Sequence, residues 1–230
     1  AYLNMGVCFE LQGKLDEAIQ AFKMALLHNP NSAVAYMNIG NALKNQEKLD
    51  EAIKFYNKSI SLDSKFAEAY CNIGLALHDQ DKLDEAIEAF NKCILLKPEY
   101  AEAHNNKGNT LKKQCKFNEA IDAYKKAILI RPDYATAYNN LGSIFKDQGK
   151  FNEAIELYNK AILFQKDYAQ AYHNMGNAFK DQGNLDEAIE AYKKSVTLKP
   201  DYDEAYRKMG ITLHDQGKLD MAIEAYEKAI

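Results

Sequence analysis

The sequence predicts an all-α solenoid built from antiparallel helix-turn-helix units that stack along the chain. Three observations support this class: a glycine every 34 residues, an alanine followed four residues later by Phe or Tyr, and apolar residues in a helical period. A hairpin of this size cannot bury its apolar faces alone, so neighbouring units must cover one another. The recurring glycines are Gly6, Gly40, Gly74, Gly108, Gly142, Gly176 and Gly210.

The unit over residues 135–168 shows how its two helices are predicted. Apolar residues around Leu141 form one stripe, and those around Tyr158 form a second. The Asp-Gln-Gly-Lys stretch at 147–150 breaks the first helix, and Asn152 is expected to cap the second. At Gly142 the missing side chain is expected to let a neighbouring backbone approach. Each unit is therefore a helical hairpin, with helix A followed by helix B.

The register predicts a single array of seven repeats, of which the first and last are partial. We expect this array to be a segment of a longer protein, because the chain starts inside a unit without an initiator methionine. The repeats are 1–32, 33–66, 67–100, 101–134, 135–168, 169–202 and 203–230.

Proline closes helix B in four units, because it cannot continue a helix. These prolines are Pro30, Pro98, Pro132 and Pro200. Two units carry Ser64 and Lys166 at this place, where looser helix ends are expected.

Composition narrows the classes of function. The 230 residues are 47% hydrophobic, with a formal net charge of −4 and both signs interspersed, which argues against a nucleic-acid partner. No apolar run is long enough for a membrane helix, so no membrane contact is expected. The four widely spaced cysteines indicate a reducing compartment. We expect the cytoplasm, with the nucleus as the alternative.

The residue pattern resembles the tetratricopeptide repeat (TPR). It matches an aromatic, a Leu-Gly pair, a further aromatic and an Ala-aromatic-Ala series, here Tyr138, Leu141, Gly142, Phe145, Ala154, Tyr158 and Ala161. The resemblance covers the whole chain. It implies a right-handed superhelix whose A helices line the concave side. His104 and Lys107 depart from the pattern, and His104 is expected to be a half-buried packing residue.

The side of helix A opposite its packing stripe carries a row of asparagines at the sixth position of each repeat. Asparagine is a mediocre helix former, costing about 0.5 kcal/mol relative to alanine, so its recurrence suggests a role. Its amide both donates and accepts, and can bond the main chain of an extended peptide. A local structural role is the alternative. This asparagine ladder is Asn4, Asn38, Asn72, Asn106, Asn140 and Asn174, with Lys208 in the last repeat.

Three further columns accompany the ladder. The ninth position is also predicted to contact peptide where it is Asn41, Asn109 or Asn177. A glutamine near each turn, such as Gln80, is expected to make local backbone bonds. Lysines one turn beyond the ladder form a mildly basic rim, which we interpret as a solvated helix face: Lys44, Lys112, Lys146 and Lys180.

No catalytic residue, metal site or cofactor is predicted. The chain lacks a Gly-rich phosphate loop, a paired-histidine zinc motif and a nucleophile elbow, and its five histidines fall singly. Cys8 and Cys93 are expected in small-residue packing columns, and Cys71 on the groove side is expected to be the accessible thiol. The chain is predicted not to be an enzyme.

The leading functional hypothesis is a protein-interaction module that holds an extended peptide or partner segment in its concave groove. A second is the targeting arm of a larger glycosyltransferase, since the Asn-rich helix A at 105–109 is similar to the TPR arm of O-linked N-acetylglucosamine transferases. A structural or self-assembling scaffold is a third. The acidic balance makes an RNA reader the weakest alternative.

The last helix is expected to leave its apolar stripe uncovered. We predict end-to-end self-association through Leu219, Ala222, Ile223 and Tyr226.

Overall fold

The computed structural model describes residues 1–230 and consists of fourteen α-helices without a strand, which confirms the predicted all-α class. Odd-numbered helices are the A helices, and each is followed by a B helix of the same repeat. The A helices are α1 (Tyr2–Leu11), α3 (Ala33–Asn45), α5 (Ala67–Asp79), α7 (Ala101–Lys113), α9 (Ala135–Asp147), α11 (Ala169–Gln182) and α13 (Asp203–Asp215). The B helices are α2 (Leu15–His28), α4 (Leu49–Leu62), α6 (Leu83–Leu96), α8 (Phe117–Ile130), α10 (Phe151–Phe164), α12 (Leu185–Leu198) and α14 (Leu219–Glu227).

The helices group into two compact units, Ala1–Ala123 and Tyr124–Ile230. In the first unit, α1 to α6 each pack against the next helix in the chain, and α6 packs against α7. In the second unit, α9 to α14 pack in the same serial way. Stacking of hairpins on their sequence neighbours is the solenoid arrangement that the 34-residue period predicts.

The recurring glycine brings helix A against an aromatic ring of its own helix B. A Cβ atom placed on Gly40 would lie 2.5 Å from Cε1 of Tyr56, whose side chain is fully buried. At Gly142 such an atom would lie 2.8 Å from Cε1 of Tyr158 and 3.2 Å from the backbone oxygen of Ala154. The close approach expected at Gly142 is therefore made mainly by a ring and only partly by backbone.

The turn between helices A and B requires one residue in the left-handed backbone region. Four repeats place glycine there, for example Gly149 at φ 75°. Three repeats place a residue with a side chain instead: Glu47, Asp81 and Cys115, at φ 62°, 64° and 60°. The turn geometry is thus kept even where its sequence signal is missing, because the packed helices on either side determine it.

Two expectations about helix ends were wrong. Helices α4 and α10 end at the same repeat position as α6, although Ser64 and Lys166 replace the closing proline. The residue after each helix turns to an extended backbone, with φ −139° at Asp63, −136° at Gln165 and −138° at Lys97. Stacking of the following A helix therefore ends helix B without proline. The predicted cap Asn152 lies inside α10, which starts at Phe151.

The glutamine near each turn links consecutive repeats rather than bonding to the local backbone. Its Nε2 atom donates to a side-chain oxygen at the start of the preceding B helix, 30 residues earlier. These bonds are Gln46 to Asp16 at 2.8 Å, Gln80 to Asp50 at 2.9 Å, Gln114 to Asp84 at 2.8 Å, Gln182 to Asn152 at 2.7 Å and Gln216 to Asp186 at 2.8 Å. The structural role was predicted correctly, but its partner was not.

His104 is buried, as expected for a residue that replaces a packing aromatic. Its side chain is 9% exposed, and its Nε2 atom lies 3.0 Å from the carbonyl oxygen of Pro98. A carbonyl only accepts, so Nε2 carries the proton in this bond. The ring thus replaces the tyrosine of other repeats while satisfying its own polar atom.

Candidate functional site

Within each compact unit, the A helices lie closer to one another than the B helices do. Consecutive A helices contact each other from α1 to α7 and from α9 to α13. Consecutive B helices do not: no Cα pair within 8 Å joins α2 to α4, α4 to α6, α10 to α12 or α12 to α14. Each stack is therefore curved with its A helices on the inner side, which is the placement that the TPR resemblance implies.

The asparagine ladder follows this inner side. Asn38, Asn72 and Asn106 are half-buried in the first unit, whereas Asn4 in α1 is exposed. Asn140 and Asn174 are half-buried in the second unit, and the half-buried Lys208 occupies the equivalent place in α13. The ladder side chains thus lie partly in the surface between neighbouring A helices.

Ladder amides donate hydrogen bonds to the preceding A helix. The Nδ2 atom of Asn72 donates to Oδ1 of Asn41 at 2.9 Å. In the second unit, Nδ2 of Asn174 donates to Oδ1 of Asn139 at 2.9 Å, and Oδ1 of Asn174 accepts from Nε2 of Gln170 at 3.1 Å. These bonds fix the amide orientation, but an amide has two donor hydrogens and two acceptor lone pairs, so bonding capacity remains.

The ninth-position asparagines Asn41 and Asn177 hold buried tyrosines of helix B. The hydroxyl of Tyr56 donates to Oδ1 of Asn41 at 2.9 Å, and that of Tyr192 donates to Oδ1 of Asn177 at 2.8 Å. Both tyrosine side chains are fully buried. At Asn41 the oxygen accepts from both Tyr56 and Asn72, so its lone pairs are used within the protein. This structural role was missed by the sequence analysis.

The ninth position and the aromatic residue of helix B vary together between repeats, and this pairing could have indicated the structural role of Asn41 and Asn177. Where the ninth position is apolar in the early repeats, helix B carries phenylalanine, and where it is polar, helix B carries tyrosine. The pairs are Val7 with Phe22, Asn41 with Tyr56, Leu75 with Phe90, Asn109 with Tyr124, Ser143 with Tyr158 and Asn177 with Tyr192. The last repeat breaks the pairing, with Ile211 and a Tyr226 that is 36% exposed and can bond to solvent. In the fifth repeat the residue types match, but the buried Tyr158 hydroxyl has no hydrogen-bond partner, so Ser143 does not hold it.

His173 extends the polar network in α11. Its Nε2 atom lies 3.0 Å from Nδ2 of Asn177, whose Oδ1 is taken by Tyr192. Nε2 therefore accepts, and the ring proton lies on Nδ1, which is buried without a partner. Burial lowers the pKa of His173, opposed by Glu204 and supported by Lys208 and Arg207. The neutral ring is thus the form that the fold accommodates.

Two expectations about cysteine exposure were wrong. Cys71 is only 3% exposed, because it packs in a cluster with Cys93 and Ala103. Cys8 is exposed in α1. The equivalent residue Ala42 is fully buried. The buried position of Cys93 was predicted correctly.

The lysine rim is largely paired with carboxylates in the second unit. Lys146 Nζ lies 3.2 Å from Asp147 Oδ1 and 3.6 Å from Asp181 Oδ2. Lys180 Nζ lies 3.3 Å from Asp215 Oδ2. Acidic side chains therefore balance the positive charge, so the rim gives no preference for acidic partners.

No three His, Cys, Asp or Glu side chains are grouped so that they could bind a metal ion. No helix combines the length and the apolarity that crossing a membrane requires.

Comparison with family models gives repeat matches along most of the chain. The model described as TPR repeat matches residues 40–81, 142–183 and 176–217. One model described as tetratricopeptide repeat matches residues 1–32, 67–100 and 101–134, and another matches 123–156. A comparison with curated protein sequences gave no match.

Solved structures give the same assignment. MamA is 31% identical, with a TM-score of 0.61 over 68% of this chain and 92% of MamA. YrrB, a TPR protein with an unusual peptide-binding site, is 24% identical, with a TM-score of 0.62 over 86% of this chain and 99% of YrrB. The Cut9–Hcn1 assembly of the APC/C shares the fold at 17% identity, with a TM-score of 0.82 over 97% of this chain and 44% of the matched chain. TPR proteins are generally non-enzymatic modules for binding proteins or peptides, and the repeat matches together with the identity to MamA show that this chain belongs to the tetratricopeptide repeat family.

Proposed function

We propose that this protein binds an extended segment of a partner protein along the inner face of its A helices. The observation that carries the proposal is the asparagine ladder, which follows the inner side of each compact unit in half-buried positions. Neighbouring packed helices lie about 8 to 10 Å apart, which is roughly three residues of an extended chain. One ladder amide is therefore available for about every third guest residue.

The hydrogen bonds of the ladder support main-chain recognition. Asn72 is held by its Nδ2 bond to Asn41, while its Oδ1 atom has no hydrogen-bond partner. Asn38 makes no side-chain hydrogen bond at all within the protein. An amide that the scaffold orients loses less conformational freedom on binding. Asn72 then offers an acceptor to a guest N–H, and Asn38 offers both a donor and an acceptor.

A selected peptide gives the test. A peptide chosen from a random library on the wild-type protein is expected to bind more weakly when Asn38, Asn72 and Asn106 are changed to alanine. Each lost hydrogen bond contributes about 1 kcal/mol, or roughly fivefold in Kd. N-methylation of the peptide backbone is expected to weaken binding more than alanine substitution of its side chains, and fluorescence anisotropy measures both.

Asn159→Ala is the matched control, because this asparagine is exposed on a B helix. This control is expected to bind like the wild type. Equal Kd values for the ladder variant and the control, with both folded by circular dichroism, would remove the ladder from the mechanism.

We further propose that the last helix associates with a second copy of the chain. Ile223 and Tyr226 in α14 are 56% and 36% exposed, whereas their equivalents in α12, Ile189 and Tyr192, are 4% and 0% exposed in a cluster with residues of α13. Leu219 is also exposed at 55%, but Ala222 is buried within its own repeat. Three residues of the predicted stripe are therefore uncovered.

The mass of the wild-type protein in light scattering is expected to rise with concentration, because association buries this apolar surface. Ile223→Lys is expected to keep the protein monomeric. A constant monomer mass for the wild type across the accessible concentration range would contradict the association.

A further inference from the structure

A second surface, on the outer side of the repeats, has the features of a binding site. In the third repeat, a cleft of about 590 Å³ opens between the B helices α4 and α6, above the A helix α5. Its floor is formed by Tyr70, Ile73, Leu77 and Ala89. Because consecutive B helices do not contact each other, the space between them stays open at this place.

The cleft and the ladder use opposite sides of the same helix. The floor residues of α5 are at repeat positions 4, 7 and 11, which fall on one line down a helix. Ladder position 6 and position 9 lie about half a helical turn away. A guest in the cleft therefore does not compete for the ladder.

The sixth repeat has a cleft with the same residue types. It encloses about 500 Å³ between α11 and α12, and its floor consists of Tyr172, Met175, Phe179 and Ala191. Each of these residues is at the same repeat position as its counterpart in the third repeat. The first and seventh repeats have smaller clefts at the same repeat positions, of about 360 and 410 Å³, with Ala21 and Ala225 in the place of Ala89. The clefts of the third and sixth repeats are the more spacious ones of this kind in their compact units.

One repeat position determines whether the cleft is open. Ala89 and Ala191 are at position 23, where the second repeat has Phe55 and the fifth has Leu157. The ring of Phe55 lies 6.2 Å from that of Tyr36, which is the counterpart of Tyr70. Phe55 therefore occupies, from within the protein, the space that is open in the third repeat. The fold has already accepted a large apolar side chain at this position.

The rim of each cleft is acidic. Glu85 and Glu88 line the third-repeat cleft, are exposed and form no ion pair, while Lys92 is the one cation there. Glu187, Glu190 and Lys194 are the counterparts in the sixth repeat, where Glu190 pairs with Lys193 at 2.8 Å. Leu95, at the wall of the third-repeat cleft, is 72% exposed. An apolar floor beneath carboxylates, which are unpaired in the third repeat, fits an apolar side chain with a basic neighbour.

We propose that the outer clefts of the third and sixth repeats bind a partner protein segment in which a large apolar side chain is followed by lysine or arginine. The apolar side chain replaces water over Tyr70 and Ala89, in the way that Phe55 covers Tyr36 from inside the protein. The basic side chain then lies beside Glu85 and Glu88. Volumes of this size accommodate one or two side chains, which makes each cleft an anchor point rather than a binding groove for a long peptide.

Three short peptides with the central triads Phe-Lys-Lys, Phe-Glu-Glu and Ser-Lys-Lys test the proposal on the ¹⁵N-labelled protein. The Phe-Lys-Lys peptide is expected to shift amide signals of α5, α6, α11 and α12, and to bind about tenfold more tightly than the other two. Shifts confined to ladder residues, equal binding of Phe-Glu-Glu, or no binding of Phe-Lys-Lys at millimolar concentration would each overturn the proposal.

Two substitutions taken from other repeats provide the matched variants. Ala89→Phe and Ala191→Leu copy Phe55 and Leu157, so they are expected to fill the clefts while the protein stays folded. Binding of the Phe-Lys-Lys peptide is expected to fall about tenfold or more in the double variant, and to stay unchanged in the ladder variant. Unchanged binding by a folded double variant would overturn the proposal, and the shift map of the wild type decides independently of these variants.

Discussion

Changing Gly40 to alanine is expected to lower the free energy of unfolding by about 2 to 3 kcal/mol. At an ordinary helix position the same change raises stability by about 1 kcal/mol, because alanine is the better helix former. The sign is reversed here because the new Cβ atom would lie 2.5 Å from Cε1 of Tyr56. Urea unfolding followed by circular dichroism measures the shift.

The ring of Tyr56 has no space into which it can retreat. Its side chain is fully buried, and its hydroxyl is held at 2.9 Å by Oδ1 of Asn41. The clash can therefore be relieved only if α3 and α4 move apart. Because α2 packs against α3 and α5 packs against α4, this movement also disturbs the contacts with both neighbouring repeats. In a repeat array such a local defect weakens nearest-neighbour interfaces, so loss of hydrogen-exchange protection is expected first in α3 to α5.

Two controls test whether the loss of stability comes from the clash between the new Cβ atom and Tyr56, or whether any substitution in α3 destabilises the protein. Val34→Ala on the exposed start of α3 is expected to change stability by less than about 0.5 kcal/mol. Combining Gly40→Ala with Tyr56→Leu is expected to cost less than the sum of the single changes, because the smaller side chain leaves room for Cβ. A Gly40→Ala protein as stable as the wild type would show that the hairpin adapts to the extra atom.

The period of 34 residues was sufficient to predict the helices, the hairpins and the serial stacking. Each depends on one local rule repeated seven times: glycine next to an aromatic, small residues in the packing columns, and a polar turn. Prediction failed where one repeat contacts another through side chains. The partner of Gln80 is Asp50 on the preceding repeat, and a single unit contains no information about that distance.

The candidate sites show the same division. The ladder could be predicted because asparagine, a mediocre helix former, recurs on the side of helix A opposite its packing stripe. The role of Asn41 was not predicted, because its partner Tyr56 is at a different repeat position, on helix B, and the two positions were considered separately. The outer clefts were not predicted because they depend on the size of one residue at position 23, Ala89 or Ala191, above the floor formed by helix A.

Changing Asn41 to leucine is expected to lower the free energy of unfolding by about 1 to 3 kcal/mol. The substitution leaves the buried hydroxyl of Tyr56 without an acceptor, and such an orphaned group retains the full cost of its lost hydration. It also removes the acceptor of Asn72 Nδ2, but Asn72 is half-buried and can bond to water instead. The orphaned hydroxyl is therefore the larger loss.

The protein itself provides the rescue for this change. Leu75 and Phe90 occupy the equivalent positions in the third repeat, so Asn41→Leu combined with Tyr56→Phe reproduces a pair that the fold already contains. Replacing both partners of a buried hydrogen bond by apolar groups of similar shape is nearly neutral. The double variant is therefore expected to recover most of the stability that Asn41→Leu loses.

The double-mutant cycle is decided by the sign of the coupling between the two positions. Tyr56→Phe alone is expected to cost about 0.5 to 1.5 kcal/mol, so independent sites would make the double variant the least stable of the set. If the hydrogen bond to Tyr56 is the reason that asparagine occupies the ninth position, the double variant is expected to be more stable than Asn41→Leu. A double variant that is the least stable would instead assign Asn41 to the inner surface alone, and its recurrence would then have to be explained by what that surface binds.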